Sequence, residues 1–354
     1  RLSDGLYHLG TIGCLGGTFG QERLWSLSPI SIEMTAVERL QRLFLQSVEN
    51  GFGEPEWNRQ PDSLYAPQRY ILGMGGKRLR PVLSLMAAEA LGAQAEVALP
   101  AAHAVERFHN FSLIHDDIMD EAPVRRGKPT VHTTWGTNTA ILSGDALLVM
   151  AYESLRQLPD AVLPQALRVF NRTALEVCEG QQWDMDFETQ DHIQEGQYLQ
   201  MIRYKTSVLL GCALELGVWA AQGNAELAAA LYSFGLELGT SFQMHDDILD
   251  AFGDPSEVGK QVGGDILSNK KTMLYLHLKA QRPDILATWQ DARSTEKVEA
   301  IKNAMIEVGS LAYVESQRVA HFHKAMEALA AAEAKGCRTE DLAHLAQWIF
   351  ERKA

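Results

Sequence analysis

Apolar residues recur at every third or fourth position along most of this chain, whereas the strict alternation typical of strands is scarce. Residues 161–180 and 198–223 show the pattern clearly. Such a period places apolar side chains along one face of a helix, and it predicts an all-α single domain of roughly ten or more helices. Turn-forming residues interrupt the period without any low-complexity linker, at Gly73–Gly76, Ala122–Pro129, Leu158–Asp160, Thr189–Gly196, Gly223–Ala225, Gly253–Gly264 and Lys335–Arg338.

The first 33 residues differ from the rest, since they are rich in Gly and Ser, carry few charges and show no helical period. An amphipathic stretch then opens at Met34. We interpret residues 1–33 as a disordered or non-native extension and residues 34–354 as the domain. A targeting peptide is the alternative, although the segment lacks the basic start and apolar core of a secretory signal.

The composition excludes several classes of partner. The formal net charge is −13, so the surface has no excess of cations for nucleic acid or an anionic membrane. The apolar runs are too short for a transmembrane helix, so we expect no stable membrane insertion. The cysteines are widely spaced, which disfavours a thiolate metal site or a disulfide framework and suits the reducing cytoplasm; they are Cys14, Cys178, Cys212 and Cys337.

One acidic hexapeptide occurs twice, as His115–Asp120 and as His245–Asp250. Both copies follow long apolar-periodic stretches, so each is expected near the C-terminal end of a helix. At such a position Asp116 and Asp120 share one face of the helix, with Asp117 beside them. Three carboxylates there repel one another, and the helix dipole also disfavours negative charge at a C-terminal end. Oxygen ligands of this kind suit Mg²⁺, which takes its other ligands from water and phosphates. A solvated acidic helix end is the simpler reading of one copy, but two near-identical copies argue against it.

Basic residues cluster before and after these motifs. Gly75–Pro81 contains Lys77 and Arg80, and Pro81 suits the first turn of a following helix. A helix N-terminus with two cations is a natural anion site, although the segment is not a Walker loop and an ordinary basic loop is the alternative. His109 lies two turns before Asp116 and could also be a structural histidine. The remaining basic candidates are Arg125, Arg126, Lys260, Lys270 and Lys271.

These residues together indicate two anion pockets. One would be bridged by metal between the acidic helices, and the other would need no metal. A diphosphate whose oxygens are bound to Mg²⁺ leaves more readily, because the metal stabilises the developing charge. The carbocation left behind must be kept dry and flanked by dipoles.

With these motifs in this order, the chain resembles the trans-isoprenyl diphosphate synthases, also called polyprenyl synthetases, from about Met34 to the C-terminus. The resemblance also covers Gly180-Gln181 with Asp184, Lys205-Thr206, Phe242-Gln243 and Gly259-Lys260 with Gly263-Gly264-Asp265. It implies a bundle of mostly antiparallel helices around a central cavity, and usually a homodimer. It also implies Mg²⁺-dependent, head-to-tail condensation of isopentenyl diphosphate with an allylic diphosphate.

The resemblance further assigns roles to individual residues. The metal ligands, for about three Mg²⁺ ions, would be Asp116, Asp117, Asp120, Asp246, Asp247 and Asp250. Isopentenyl diphosphate would be held by Lys77, Arg80, His109 and Arg126. The allylic diphosphate would be held by Arg125, Lys205, Lys260 and Lys270. Lys205, Thr206 and Gln243 would be catalytic, with Thr206 and Gln243 stabilising the carbocation, and released diphosphate would remove the final proton.

Product length depends on the residues just before the first acidic motif. Phe111 and Ser112 are the fifth and fourth residues before Asp116, and at ~1.5 Å per residue Phe111 lies roughly 7 Å below it. In this family bulk there stops elongation early. One bulky residue, without the two-residue insertion typical of many bacterial farnesyl synthases, resembles the geranylgeranyl pattern. We therefore expect a C20 product, with C15 next and longer products third.

Other protein classes explain the pattern less well. A terpene cyclase shares the helical bundle and one acidic motif, but it needs neither a second such motif nor the Gly75–Pro81 segment and Arg126. A head-to-head condensing enzyme such as a squalene synthase explains the pattern poorly for the same reason, because it does not need a pocket for isopentenyl diphosphate. A non-catalytic partner subunit would have lost aspartates that are intact here. A purely structural bundle would not need so many polar site residues in matching order.

Overall fold

The computed structural model describes residues 34–51, 59–254 and 263–352, and the predicted extension at residues 1–33 lies outside them. The described chain is almost entirely helical, which confirms the predicted all-α class. The α-helices in chain order are α1 (Met34–Glu49), α2 (Asp62–Leu72), α3 (Leu79–Ala90), α4 (Leu99–Met119), α5 (Val131–Trp135), α6 (Thr137–Leu155), α7 (Leu163–Thr189), α8 (Glu195–Ile202), α9 (Val208–Ala220), α10 (Ala225–Phe252), α11 (Gly264–Leu267), α12 (Met273–Gln281), α13 (Pro283–Trp289), α14 (Thr295–Glu307), α15 (Ser310–Glu333) and α16 (Glu340–Glu351).

The helices end where the sequence places turn residues. Gly73 directly follows the last residue of α2, and Gly253 directly follows that of α10. The side chain of Asn224 caps α10 by accepting a hydrogen bond from the amide of Leu227 at 3.0 Å. This bond satisfies one of the amides that a helix start leaves without a partner.

A small hairpin, which the helical reading did not predict, follows α4. Strand β1 (Val124–Arg125) pairs antiparallel with β2 (Lys128–Pro129). The two turn residues both have positive φ angles, 51° at Arg126 and 73° at Gly127. This is the conformation that a two-residue hairpin requires, and Gly127 adopts it without steric strain. The hairpin therefore holds Arg125 and Arg126 at fixed positions beside the end of α4.

Helix α9 forms the centre of the bundle. It is apolar on nearly all sides and almost entirely buried, as expected for a core helix. It packs against α3, α7 and α10. Residues 221–224 join α9 directly to α10, so the two packed helices run antiparallel. Among the described helices, none combines the length and apolar character needed to cross a bilayer.

Candidate active site

A cavity of about 590 Å³ opens beside the C-terminal ends of α4 and α10. Asp120 of the first acidic hexapeptide and Asp247 of the second both line it. Two lysines, Lys205 and Lys270, line the same cavity. The fold therefore brings together two motifs that are far apart in sequence, and it places cations between them.

The first acidic motif is partly neutralised by protein cations. The Nε of Arg125 donates to both carboxylate oxygens of the buried Asp117 at 2.9 Å. Its Nη2 reaches Asp116 at 3.3 Å, and the Nζ of Lys205 lies 3.3 Å from Asp116 Oδ1. That Oδ1 atom is buried and accepts no directed hydrogen bond within the described part of the chain. Asp117 thus turns to the hairpin, whereas Oδ1 of Asp116 has the charge of Lys205 nearby but no directed hydrogen bond.

Asp120 closes α4 as its C-terminal cap residue. Burial and the nearby charge of Asp116 raise its pKa, and Lys205 and Lys270 act in the opposite direction. A carboxylate in this position is stabilised by any added cation, because a cation relieves both the burial of charge and the repulsion.

Lys205 joins α4 to α7. Its Nζ donates to Asp184 Oδ2 at 2.6 Å. Burial alone would lower the pKa of Lys205, but Asp184 and Asp116 raise it above its ordinary value. Burial likewise would raise the pKa of Asp184, yet Lys270 and Lys205 hold it below its ordinary value. From the sequence, Asp184 was only part of a family motif without a role of its own, and the structure shows it as the main partner of Lys205.

Lys205 and Thr206 lie in a short π-helical turn, Arg203–Ser207, between α8 and α9. Thr206 Oγ1 donates to Gln243 Oε1 at 3.0 Å, and Gln243 Nε2 donates to Asp247 Oδ1 at 3.0 Å. The chain of hydrogen bonds ends at Tyr198, whose hydroxyl donates to Asp247 Oδ2 at 2.5 Å. The sequence analysis did not single out Tyr198, because an aromatic residue that follows the helical period is interpreted as part of the hydrophobic core. The chain fixes the side chains of Thr206 and Gln243 in one orientation.

The second acidic motif is held by contacts outside its own helix. Arg352, near the end of the chain, donates to Asp246 Oδ1, and its guanidinium lies 4.3 Å from the ring centre of Phe242. Asp250 Oδ1 accepts from the amide of Asp265 at 2.8 Å. Burial and the charge of Asp265 raise the pKa of Asp247 to about 7. Arg352 carried no signal in the sequence, because it stands apart from every basic motif.

Basic residues form a second group beside the acidic one. Arg80 Nη1 lies 3.2 Å from His109 Nε2, and Gly76 approaches the guanidinium of Arg126 so closely that a Cβ there would lie 2.8 Å from Nη1. Burial lowers the pKa of Arg80 to about 10, so it stays charged at neutral pH. Burial and the charge of Arg80 hold the pKa of His109 well below its ordinary value, so this imidazole is neutral. Lys77 lies 5.0 Å from the ring centre of Trp348.

Two electrostatic links join the basic group to the second acidic motif. The charge of Asp246 raises the pKa of Lys77 and that of Arg80, although burial lowers both by more.

Arg78, the third cation of the Gly75–Pro81 segment, points elsewhere. It forms a buried ion pair with Glu106 and donates to the carbonyl of Leu72. Only Lys77 and Arg80 of this segment therefore remain as candidates for an anion.

The two residues predicted to limit product length lie on α4, outside the lining of this cavity. The ring of Phe111 lies 4.7 Å from that of His115 and 5.5 Å from that of Phe108. Phe108 in turn packs edge-on against Phe170 at 5.4 Å. Ser112 donates to the carbonyl of His109 at 2.8 Å. Their role in product length stays a prediction.

The acidic side chains do not form a complete metal site by themselves. Within the described ranges, no three Asp, Glu, His or Cys side chains converge to hold an ion. This fits Mg²⁺, which commonly uses one or two carboxylates and takes other ligands from water and phosphate. Lys260, predicted to contact the allylic diphosphate, lies outside the described residues.

Known proteins match both the sequence and the fold. The polyprenyl synthetase family profile matches residues 61–308. A geranylgeranyl diphosphate synthase of Methanosarcina mazei is 41% identical over 275 residues, covering 76% of this chain and 84% of the relative. A geranylfarnesyl diphosphate synthase of Natronomonas pharaonis is 37% identical over 272 residues, covering 72% and 80%. A solved geranylgeranyl pyrophosphate synthase matches with a TM-score of 0.83 at 42% identity, covering 90% of this chain and 99% of that one.

The matched region contains both acidic hexapeptides, the Gly75–Pro81 segment and the π-helical turn. These are the features on which the sequence resemblance rested, and the agreement of sequence and fold confirms that resemblance. The chain belongs to the polyprenyl synthetase family and is a prenyltransferase.

Proposed function

We propose that this enzyme condenses isopentenyl diphosphate head-to-tail with allylic diphosphates, in the presence of Mg²⁺, to make geranylgeranyl diphosphate. The observation that carries the proposal is the convergence of both acidic motifs and two lysines on one cavity, with the basic group of Arg80, His109 and Arg126 beside it. Two neighbouring anion sites of different character suit two diphosphate substrates. A terpene cyclase, which takes one diphosphate, would leave the second site without a use.

The residues present fit a magnesium ion. Asp116 presents a buried carboxylate oxygen without a hydrogen-bond partner, and the pKa of Asp120 is raised by burial and by Asp116. Asp116 and Asp120 would hold Mg²⁺ on the first motif, and Asp117, which Arg125 binds through both oxygens, stays a predicted ligand beside them. Asp246, Asp247 and Asp250 are the proposed ligands on the second motif. When bound, the metal would neutralise the diphosphate oxygens and so ease departure of the leaving group.

The basic group would bind isopentenyl diphosphate without metal. Arg80 stays charged although it is buried, and its Nε atom lacks a hydrogen-bond partner among the described residues. A buried donor without a partner is unfavourable, so a phosphate oxygen placed there is stabilised. Neutral His109 adds one N–H donor without adding charge. Arg126 and Lys77 complete the group.

Lys205, Thr206 and Gln243 would act on the allylic half of the reaction. The ammonium of Lys205 is oriented by Asp184, so it needs little reorganisation to meet a phosphate oxygen. Thr206 and Gln243 hold each other and are anchored through Asp247. Their oxygen dipoles would stabilise positive charge on the allylic carbon.

The C20 product length is supported by the half-buried Phe111 and by relatives named for the same product. C15 remains the next candidate, and the geranylfarnesyl relative gives only weak support to the longer products ranked third. We further propose a cytoplasmic location, which rests on the unpaired cysteines Cys178, Cys212 and Cys337.

We also propose that the enzyme is a homodimer. Helix α6 exposes apolar side chains at Leu142 and Val149, 60% and 62% accessible, two turns apart on one face. Tyr152 on α6 donates to Asn171 of α7 at 2.7 Å, and α7 exposes Leu175 one turn further on. Several exposed apolar side chains on two neighbouring helices suit contact with a second copy of the chain.

The test is an assay of the purified protein with Mg²⁺, labelled isopentenyl diphosphate and each of the C5, C10 and C15 allylic diphosphates. Chromatography then gives the product lengths. A C20 product that disappears with EDTA is the expected result. A C15 or longer product would keep the reaction and overturn the length assignment, whereas no condensation with any starter would overturn the reaction itself.

A further inference from the structure

We infer that Glu237 is a positioning residue for Lys205 and Thr206, acting through the π-helical turn Arg203–Ser207. The inference rests on the proposed function, which places this lysine and this threonine at the allylic substrate. Glu237 lies on α10, nine residues before Asp246, and touches neither hexapeptide in the contacts that the structure shows. Nothing in the sequence patterns set it apart.

The π-helical turn is a conformation that needs support from its neighbours. A π turn is rare inside helices and occurs often at functional sites. If this turn relaxed to α-helix, its side chains would rotate relative to α8 by up to about 100°, the rotation of one residue. Lys205 would then lose Asp184, and Thr206 would lose Gln243.

Two glycines let neighbouring helices press on this turn. A Cβ at Gly180 of α7 would lie 2.3 Å from the backbone nitrogen of Lys205. A Cβ at Gly239 of α10 would lie 2.8 Å from the Cα of Ser207. Tyr204 stacks on Trp183 of α7, with ring centres 5.4 Å apart. These contacts hold the middle and the end of the turn, and its first residue needs a separate anchor.

Glu237 supplies that anchor. Its Oε1 accepts from Arg203, the first residue of the turn, and its Oε2 lies 2.5 Å from Nδ1 of the buried His321 on α15. Burial alone would raise the pKa of Glu237, but the hydrogen bond from His321 and the charge of Arg203 hold it below its ordinary value. A carboxylate fixed on both oxygens cannot follow a moving arginine, so it ties the start of the turn to α10 and α15.

Another carboxylate provides a matched control. Glu215 on α9 has a side chain as buried as that of Glu237, 15% against 14% accessible. It too is bound by an arginine, Arg172 at 3.2 Å, and by a ring N–H, that of Trp219 at 3.3 Å. Because Glu215 does not touch the π-helical turn, its replacement reports only the general effect of losing a buried ion pair.

The experiment compares Glu237→Gln with Glu215→Gln in steady-state condensation assays at saturating Mg²⁺. We expect kcat of Glu237→Gln to fall on the order of 10- to 100-fold, as for a small misplacement of catalytic groups, with both KM values within about two-fold of wild type. Glu215→Gln should keep its kcat. An unchanged kcat in Glu237→Gln, or an equal fall in both variants, would overturn the inference.

A double-mutant cycle with Arg203→Gln separates the anchor from simple loss of stability. If the pair acts as one unit, the double variant should lose no more activity than either single variant. Additive losses would contradict the inference. If Glu237→Gln does not fold, Arg203→Gln alone takes its place, and an unchanged kcat there would contradict it equally. Failure of wild-type protein to condense the substrates would instead overturn the proposed function.

Discussion

Replacing Phe111 with Ala tests the chain-length assignment in a quantitative way. The next aromatic barrier along α4 is Phe108, which is fully buried and packs on Phe170. Phe108 lies three residues earlier, so the floor moves down the helix axis by ~4.5 Å at ~1.5 Å per residue. One isoprene unit adds four carbon–carbon bonds of about 1.5 Å each, which advance an extended chain by ~5 Å because each bond is inclined to the chain axis. The space gained therefore fits one C5 unit.

The assay measures product distributions with a saturating C15 starter and excess isopentenyl diphosphate. The main product should change from C20 to C25, and Phe108→Ala added to Phe111→Ala should extend it further. Leu113→Ala serves as control, because Leu113 lies on the same helix and packs against the cluster of Ile71 and Leu147, whereas Phe111 packs both there and against the cluster that contains Phe108. That variant should keep the wild-type product.

The single variant should still fold. Removing the half-buried ring of Phe111 destabilises the protein by roughly 2 kcal/mol, less than the 3–5 kcal/mol lost for a fully buried ring. A thermal unfolding curve checks this directly. If folded Phe111→Ala made only the wild-type product, the floor would lie elsewhere and the length reasoning would be refuted.

The remaining predictions concern the metal site, the second substrate, the interface and the ion pair. Asp116→Ala should lower kcat by orders of magnitude with an unchanged circular dichroism spectrum, and near-normal turnover would refute the metal assignment. Arg80→Gln should raise KM for isopentenyl diphosphate roughly ten-fold more than KM for the allylic substrate, and equal shifts would count against a separate pocket. Leu142→Glu should convert a dimer to a monomer in sedimentation velocity, so an unaffected dimer would place the interface elsewhere. Glu237→Gln should have a lower free energy of unfolding than wild type at pH 7. The difference should shrink as pH falls below about 4, because a carboxylate with a lowered pKa loses its stabilising charge there. A difference in free energy of unfolding that does not depend on pH would contradict this.

The helices could be predicted from the sequence because their boundaries are local. Glycine, proline and asparagine mark the ends of helices, and apolar periodicity marks their faces, as at Gly73, Asn224 and Gly253. The acidic hexapeptides were equally visible, since residue type and spacing alone set them apart. Both features depend on contacts within a few residues along the chain.

The missed features depend on contacts between distant segments. The π-helical turn forms because Gly180 and Gly239, on two other helices, leave room for its backbone. Arg352 reaches Asp246 only because α16 returns the chain to α10. Arg78 looks like its basic neighbours in sequence, and only Glu106 on α4 shows that it is structural. No pattern within one segment carries this information.

The most direct test of the central claim follows isopentenyl diphosphate consumption and diphosphate release in one reaction, by ³¹P NMR with a C15 starter and Mg²⁺. A synthase must consume one isopentenyl diphosphate for each diphosphate released, because every condensation joins one of each substrate. We predict equal rates of the two processes, both abolished by EDTA. Diphosphate release without consumption of isopentenyl diphosphate would contradict the account and identify the protein as a cyclase or a hydrolase.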